Sequence, residues 1–298
     1  MKEKRFRRVI DSMMKRLDEE HFSVDIFLSD NGHPFNLTTV NKMPDRSIVE
    51  AHLETFVREG DQPPTLVKKQ LTELTGIKVG KGYSEKIREM LQLYEPLTPL
   101  MDALIENARI MYQLSVLEPH QVEGMDFSDP LVIRQLDLMY WPELEEGCLP
   151  YTQEMKGQFR TLGIKAESRK DIYAPSPQQI YRFRRDKIID CRLKEKQHDL
   201  HAHLSDDLHE MEVEMNISPE SQKVETIHSR SIRSPYPGIC NLPFKQDSQL
   251  IGISVDNDIR KHVVHAVGGK KGCVHLADLI TDLIQYYSSV NKIGVITR

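Results

Sequence analysis

Cysteine is scarce in this chain, and its four copies, Cys148, Cys191, Cys240 and Cys273, stand far apart. No two of them form a Cys-x-x-Cys pair, which excludes a zinc ribbon and a thioredoxin-type motif. Four in 298 residues do not make a disulfide framework either. No apolar run approaches the roughly 18–20 residues that a membrane-spanning helix needs. The start of the chain is basic (Lys2, Lys4, Arg5, Arg7 and Arg8) and carries no apolar stretch of the secretory kind. A strong charge of one sign is lacking too: a net charge of −5 sets up no global field toward nucleic acid or an anionic membrane. With 15 glycines and 16 prolines there is no collagen-like or low-complexity bias, and no internal repeat is visible. These absences lead to the expectation of a cytoplasmic protein with no nucleic-acid and no membrane partner.

What is present is a globular composition, 39% hydrophobic and 29% charged, in a chain long enough for one large domain or two ordinary ones. In the first half Phe6, Val9, Ile10, Met13, Met14 and Leu17 recur at helical spacing. The turn at Asp61-Gln62-Pro63-Pro64 reads as the lead into a helix over 65–74, and Leu97 to Tyr112 gives the longest clean helical pattern. Polar residues from Gly163 onward end in Tyr173-Ala174-Pro175-Ser176-Pro177, the best candidate boundary. Beyond it the period falls to two. Met211 to Ile217 alternates strictly, and turn residues stand at Ser205-Asp206-Asp207 and Ser218-Pro219. The expected fold is α+β: a helical domain over 1–162, a linker over 163–178, and a domain over 179–298 in which an antiparallel β-meander is closed by C-terminal helices.

Chemistry-bearing residues concentrate in that last part. Eight of the twelve histidines (His198, His201, His203, His209, His228, His262, His265 and His275) lie there. In Gly272-Cys273-Val274-His275-Leu276, a glycine loop delivers Cys273 and His275 to the first turn of the last helix. Unpaired N–H groups and the helix dipole there favour a thiolate. Cys240 follows the turn Ser234-Pro235-Tyr236-Pro237-Gly238-Ile239, and His209 stands where a strand begins. Together His209, Cys240, Cys273 and His275 offer the four N/S ligands of a zinc or iron site, while ordinary packing of buried cysteines explains the same residues without a metal. His201 and His203 are two apart and share one strand face. Asp206 and Asp207 are candidates for a general base or a hard-metal ligand near His209, though their place in a turn also suits a purely structural role, and Arg230 and Arg233 are candidate clamps for a carboxylate or phosphate, or members of surface ion pairs.

The region from about Tyr181 to Tyr287 resembles the bacterial family known only as domain of unknown function 2889. The resemblance rests on Ser205-Asp206-Asp207-Leu208-His209-Glu210-Met211, on Arg233-Ser234-Pro235-Tyr236-Pro237-Gly238-Ile239-Cys240, on Leu250 and Gly252, and on Gly272-Cys273-Val274-His275-Leu276-Ala277-Asp278-Leu279. Val274 departs from the threonine usual in that last motif. The resemblance implies that Asp207, His209, Cys240, Cys273 and His275 belong to one site, and that the protein is a companion of bacterial catabolic enzymes. It implies nothing about the helical first half.

Two functions follow as expectations. One is an enzyme or enzyme subunit whose Cys/His site, with zinc or iron, acts on a small organic acid or acyl compound, with Asp207, Cys273 and His275 catalytic. The other is a non-catalytic binding module or partner subunit, as a homodimer or with another chain, in which the cluster is a structural staple.

Overall fold

The computed structural model describes residues 3–31, 33–43, 45–57, 65–80, 82–91, 98–113, 117, 119–167, 170–174, 179–255 and 258–296. The turn expected at Asp61–Pro64, residue Leu97, and residues 168–169 and 175–178 of the expected linker lie outside these. The strands are β1 (Lys4–Arg16), β2 (His21–Asp30), β3 (His33–Lys42), β4 (Ser47–Val57), β5 (Thr65–Gln70), β6 (Tyr181–Leu193), β7 (His198–Asp206), β8 (Glu210–Ile217) and β9 (Val224–Arg233). The helices are α1 (Tyr83–Leu91), α2 (Thr98–Met111), α3 (Pro130–Tyr140), α4 (Gln153–Thr161), α5 (Lys170–Tyr173), α6 (Ile259–Val267) and α7 (Val274–Ile296), with short 3-10 turns between some of them. No helix among the described residues is long and apolar enough to cross a membrane.

The helical N-terminal domain expected from the sequence is not there. Residues 4–57 form β1 to β4, paired antiparallel in succession, and β5 pairs antiparallel with β4 where a helix over 65–74 was expected. The strand order is β5-β4-β3-β2-β1-β6-β7-β8-β9. The reason for the misreading is visible in β1. Its buried residues are Arg8, Ile10, Ser12 and Met14, a period of two. Two of those four are polar, so only Ile10 and Met14 announce the face, and a separation of four fits a helix and a strand alike. Arg8 is buried because Asp30 and Asp102 neutralise it.

Two compact units share the chain. One comprises Arg8–Gln121 and Asp171–Asp186, with α2 packed on β2 and β3. Its interior is partly polar: Thr39 donates to Asn107 at 2.7 Å, and Arg185 faces Glu106 at 3.5 Å with both nearly inaccessible. Met14 and Met111 are fully buried in its core.

The other unit comprises Met1–Arg7, Val122–Lys170 and Lys187–Arg298. The expected antiparallel meander is present in it as β7, β8 and β9. β7 and β8 present alternate residues to the core, in β7 His198, Leu200, Ala202, Leu204 and Asp206, in β8 Met211, Val213, Met215 and Ile217. Helix α7 packs its apolar face, including Leu276, Leu279, Ile280 and Leu283, over β7 and β8. Pro130 and Pro142, which break the periodicity in the sequence, begin α3 and a 3-10 turn. Asp129 caps α3 by accepting from the Leu131 N–H at 2.9 Å.

Candidate functional site

Within this second unit, four separate stretches of chain bring cysteine, histidine and aspartate together. The first is the turn joining β7 to β8. Because β7 alternates, Asp206 ends the strand on the core side and is 4% exposed. Its Oδ1 accepts from the N–H groups of Leu208 at 2.8 Å and His209 at 2.6 Å, closing an Asx turn, and lies 3.2 Å from Nδ1 of His209. The His209 imidazole is thereby fixed and buried. Arg233 locks the same turn from β9, donating to the carbonyls of Asp206 and of His209, the latter at 3.4 Å.

The second stretch is the start of α7. Gly268 to Gly272 is a short 3-10 turn rather than an open loop, and a Cβ on Gly272 would stand 2.0 Å from the Val267 carbonyl oxygen. Only glycine lets the chain double back this tightly. Cys273 then donates its N–H to Val267 O at 2.7 Å, and α7 begins one residue later. His275, in the first turn, is half-buried, and its ring lies over that of His209 with centroids 3.9 Å apart and planes inclined by 31°. Ligand atoms of Asp206, His209 and His275 all lie within 4.8 Å of one another, the grouping of metal-competent donors among the described residues.

The third and fourth stretches carry the remaining thiols. Cys240 closes the Tyr236–Cys240 turn, its N–H donating to Tyr236 O at 3.0 Å. Cys148 precedes the 3-10 turn Leu149–Tyr151. Both stretches are tied to one carboxylate on α3: Asp137 accepts from the hydroxyls of Tyr151 at 2.6 Å and Tyr236 at 3.0 Å. The Tyr151 and Tyr236 rings meet edge to face, as do those of Phe159 and Tyr236.

Electrostatics single out Cys273 as the hub. The Cys148 thiol donating to it, aided by His275 and by the Leu276 N–H, holds Cys273 well below the usual thiol range despite its burial. Cys148 goes the opposite way, well above that range, because it keeps the shared proton and is itself buried. Burial, and then the charge on Cys273, push Cys240 up to about 12. Burial and the neighbouring His275 lower His209, so it stands as a neutral imidazole. With Nδ1–H directed at Asp206, its Nε2 carries the lone pair that a metal requires.

Of the residues singled out in the sequence, His209 and His275 stand together, while His275 helps to lower Cys273 and the charge on Cys273 helps to raise Cys240. Neither cysteine is in the group of donors within 4.8 Å. Asp207 is half-buried in the turn, but the carboxylate against His209 is that of Asp206. The alternation of β7 contains that choice, since Asp206 is in phase with Leu204. Arg230 is exposed and engaged with Glu212 at 2.7 Å. His201 and His203 share the opposite face of β7, and His203 lies 3.5 Å from Glu210. Cys148 was not foreseen, and nothing local in its sequence marks it.

Residues 183–288 match the family model described as a protein of unknown function, DUF2889. The rest of the chain, including Cys148 and Asp137, lies outside that match. No curated protein and no solved structure matches the chain.

Proposed function

We propose that this protein is an enzyme or enzyme subunit in which His209 and His275 hold a zinc or iron ion and a small organic acid or acyl compound is the substrate. The observation that carries the reading is the close pair of imidazoles, His209 and His275, with the Asp206 carboxylate behind His209. A carboxylate on the far nitrogen of a metal-binding histidine fixes its tautomer and orientation. The donor set fits such an ion: imidazole nitrogen suits zinc and iron, and the adjacent Cys273 offers a soft donor that magnesium or calcium would not select. A metal there would act as a Lewis acid and acidify a bound water. Asp206 orients His209, Arg233 holds the turn that carries both, and Asp207 is the carboxylate that would take a proton.

Metal analysis of the anaerobically purified chain tests this. A stoichiometric amount of zinc or iron is expected, lost in both His209→Ala and His275→Ala while the variants stay folded. Metal-free protein from medium rich in both ions, or metal content indifferent to both substitutions, would sink it. The structural-staple reading draws on the cluster tying the Cys148, Cys240 and Cys273 stretches together, and it predicts unfolding on chelation, where the enzymatic reading predicts a folded apoprotein.

A further inference from the structure

The Cys148 stretch adds something that the histidine pair does not use. Cys148 is extended, with φ −150° and ψ 149°, and Gly272 is extended too, with φ −128° and ψ −162°. The Leu149 N–H donates to Gly272 O at 3.0 Å. That bond joins the residue after Cys148 to the residue before Cys273, so it brings the two cysteine-bearing stretches side by side.

The two thiols act on each other across it, the Cys148 thiol donating to Cys273. Both backbones are pinned: Tyr151 N–H donates to Cys148 O at 2.9 Å and Cys273 N–H to Val267 O at 2.7 Å. Both thiols are free.

We propose that Cys148 and Cys273 are a redox couple that a small hydroperoxide oxidises to a disulfide. The two thiols each lose a hydrogen as the S–S bond forms. The O–O bond of the hydroperoxide breaks, taking up the two electrons and two protons to leave an alcohol and water, or two waters from hydrogen peroxide. Burial sets the class of oxidant in this proposal: with Cys148 8% and Cys273 6% exposed, a small peroxide is assigned rather than a protein disulfide. The inference does not require the metal; an ion drawing on Cys273 and the disulfide would exclude each other.

The test uses the full chain, reduced, stripped of metal with a chelator and treated with hydrogen peroxide, followed by peptide mapping without reductant. The expected product is a Cys148–Cys273 linked peptide that dithiothreitol dissolves and that Cys148→Ser does not form. A link from Cys273 to Cys240, or sulfinic acid at Cys273 with no link, overturns the proposal. So does a folded chain left unmodified under conditions that oxidise it when denatured. The mapping of the wild-type chain stands even if Cys148→Ser fails to fold. Closure of the disulfide, together with zinc and iron absent from the chain as purified before any chelator is added, leaves this inference intact and removes the metal reading. Metal lost on His209→Ala without any disulfide does the reverse.

Discussion

Asp206 and His209 share a turn in which one carboxylate oxygen of Asp206 accepts from the backbone N–H of His209 at 2.6 Å and faces its ring nitrogen Nδ1 at 3.2 Å. The same oxygen therefore builds the turn and orients the imidazole.

This double role predicts a graded response. Asp206→Asn keeps a carbonyl acceptor for the turn but weakens the orientation of His209. Metal affinity should fall roughly 10–100-fold, the usual loss for an outer partner, without loss of fold. Competition with a chromogenic chelator measures it. Complete loss of binding would make Asp206 a direct ligand instead.

Asp137 is buried and takes two hydroxyl hydrogens, one from each of the stretches that carry Cys148 and Cys240. Bonds to a charged group contribute about 1.5–3 kcal/mol each, so Asp137→Ala should lower stability by roughly 3 kcal/mol in urea unfolding. It should also speed maleimide labelling of Cys148 and Cys240 while leaving Cys191, buried in β6, unchanged. Equal acceleration at all three would mean general loosening rather than a tether.

Tyr287 gives a pH-dependent signature away from the metal-competent group. Its hydroxyl donates to Gln222 at 3.0 Å and lies 2.8 Å from Nδ1 of His198, and burial pushes it from the ordinary 10 up to about 12. Between those values the unfolded chain releases the phenolic proton and the folded one retains it. Stability should therefore fall as pH rises from 10 toward 12. Tyr287→Phe should flatten that part of the stability curve, read by denaturant titration at several alkaline pH values.

Ser12 is wholly buried in β1, and among the described residues its hydroxyl has no hydrogen-bond partner. Ser12→Ala should leave the fold unchanged and raise stability by roughly 1 kcal/mol, because it removes a desolvated, unsatisfied hydroxyl. A loss of stability in the same urea assay would show that the hydroxyl has a role in the core.

The last third of the chain was legible because its local signals agree. Met211 to Ile217 alternates, turn residues separate the strands, and the stripe from Leu276 to Tyr287 follows a glycine turn; strands and a helix formed accordingly. The same signals placed His209 at the end of a turn and Cys273 and His275 at the start of α7. β1 was not legible, since buried Arg8 and Ser12 interrupt its apolar face and the remaining Ile10 and Met14 suit either period.

By itself, then, the sequence determined the strands and the closing helix of the last third, where apolar spacing and turn chemistry point the same way, and it determined the residue types of the site. Tertiary structure alone decided the company they keep. It brought the Cys148 stretch against the Gly272–Cys273 stretch, chose Asp206 over Asp207 as the partner of His209, and neutralised Arg8 so that it could be buried in a strand. Those outcomes depend on contacts between residues distant in the chain, where burial, charge pairing and close approach outweigh anything that local spacing encodes.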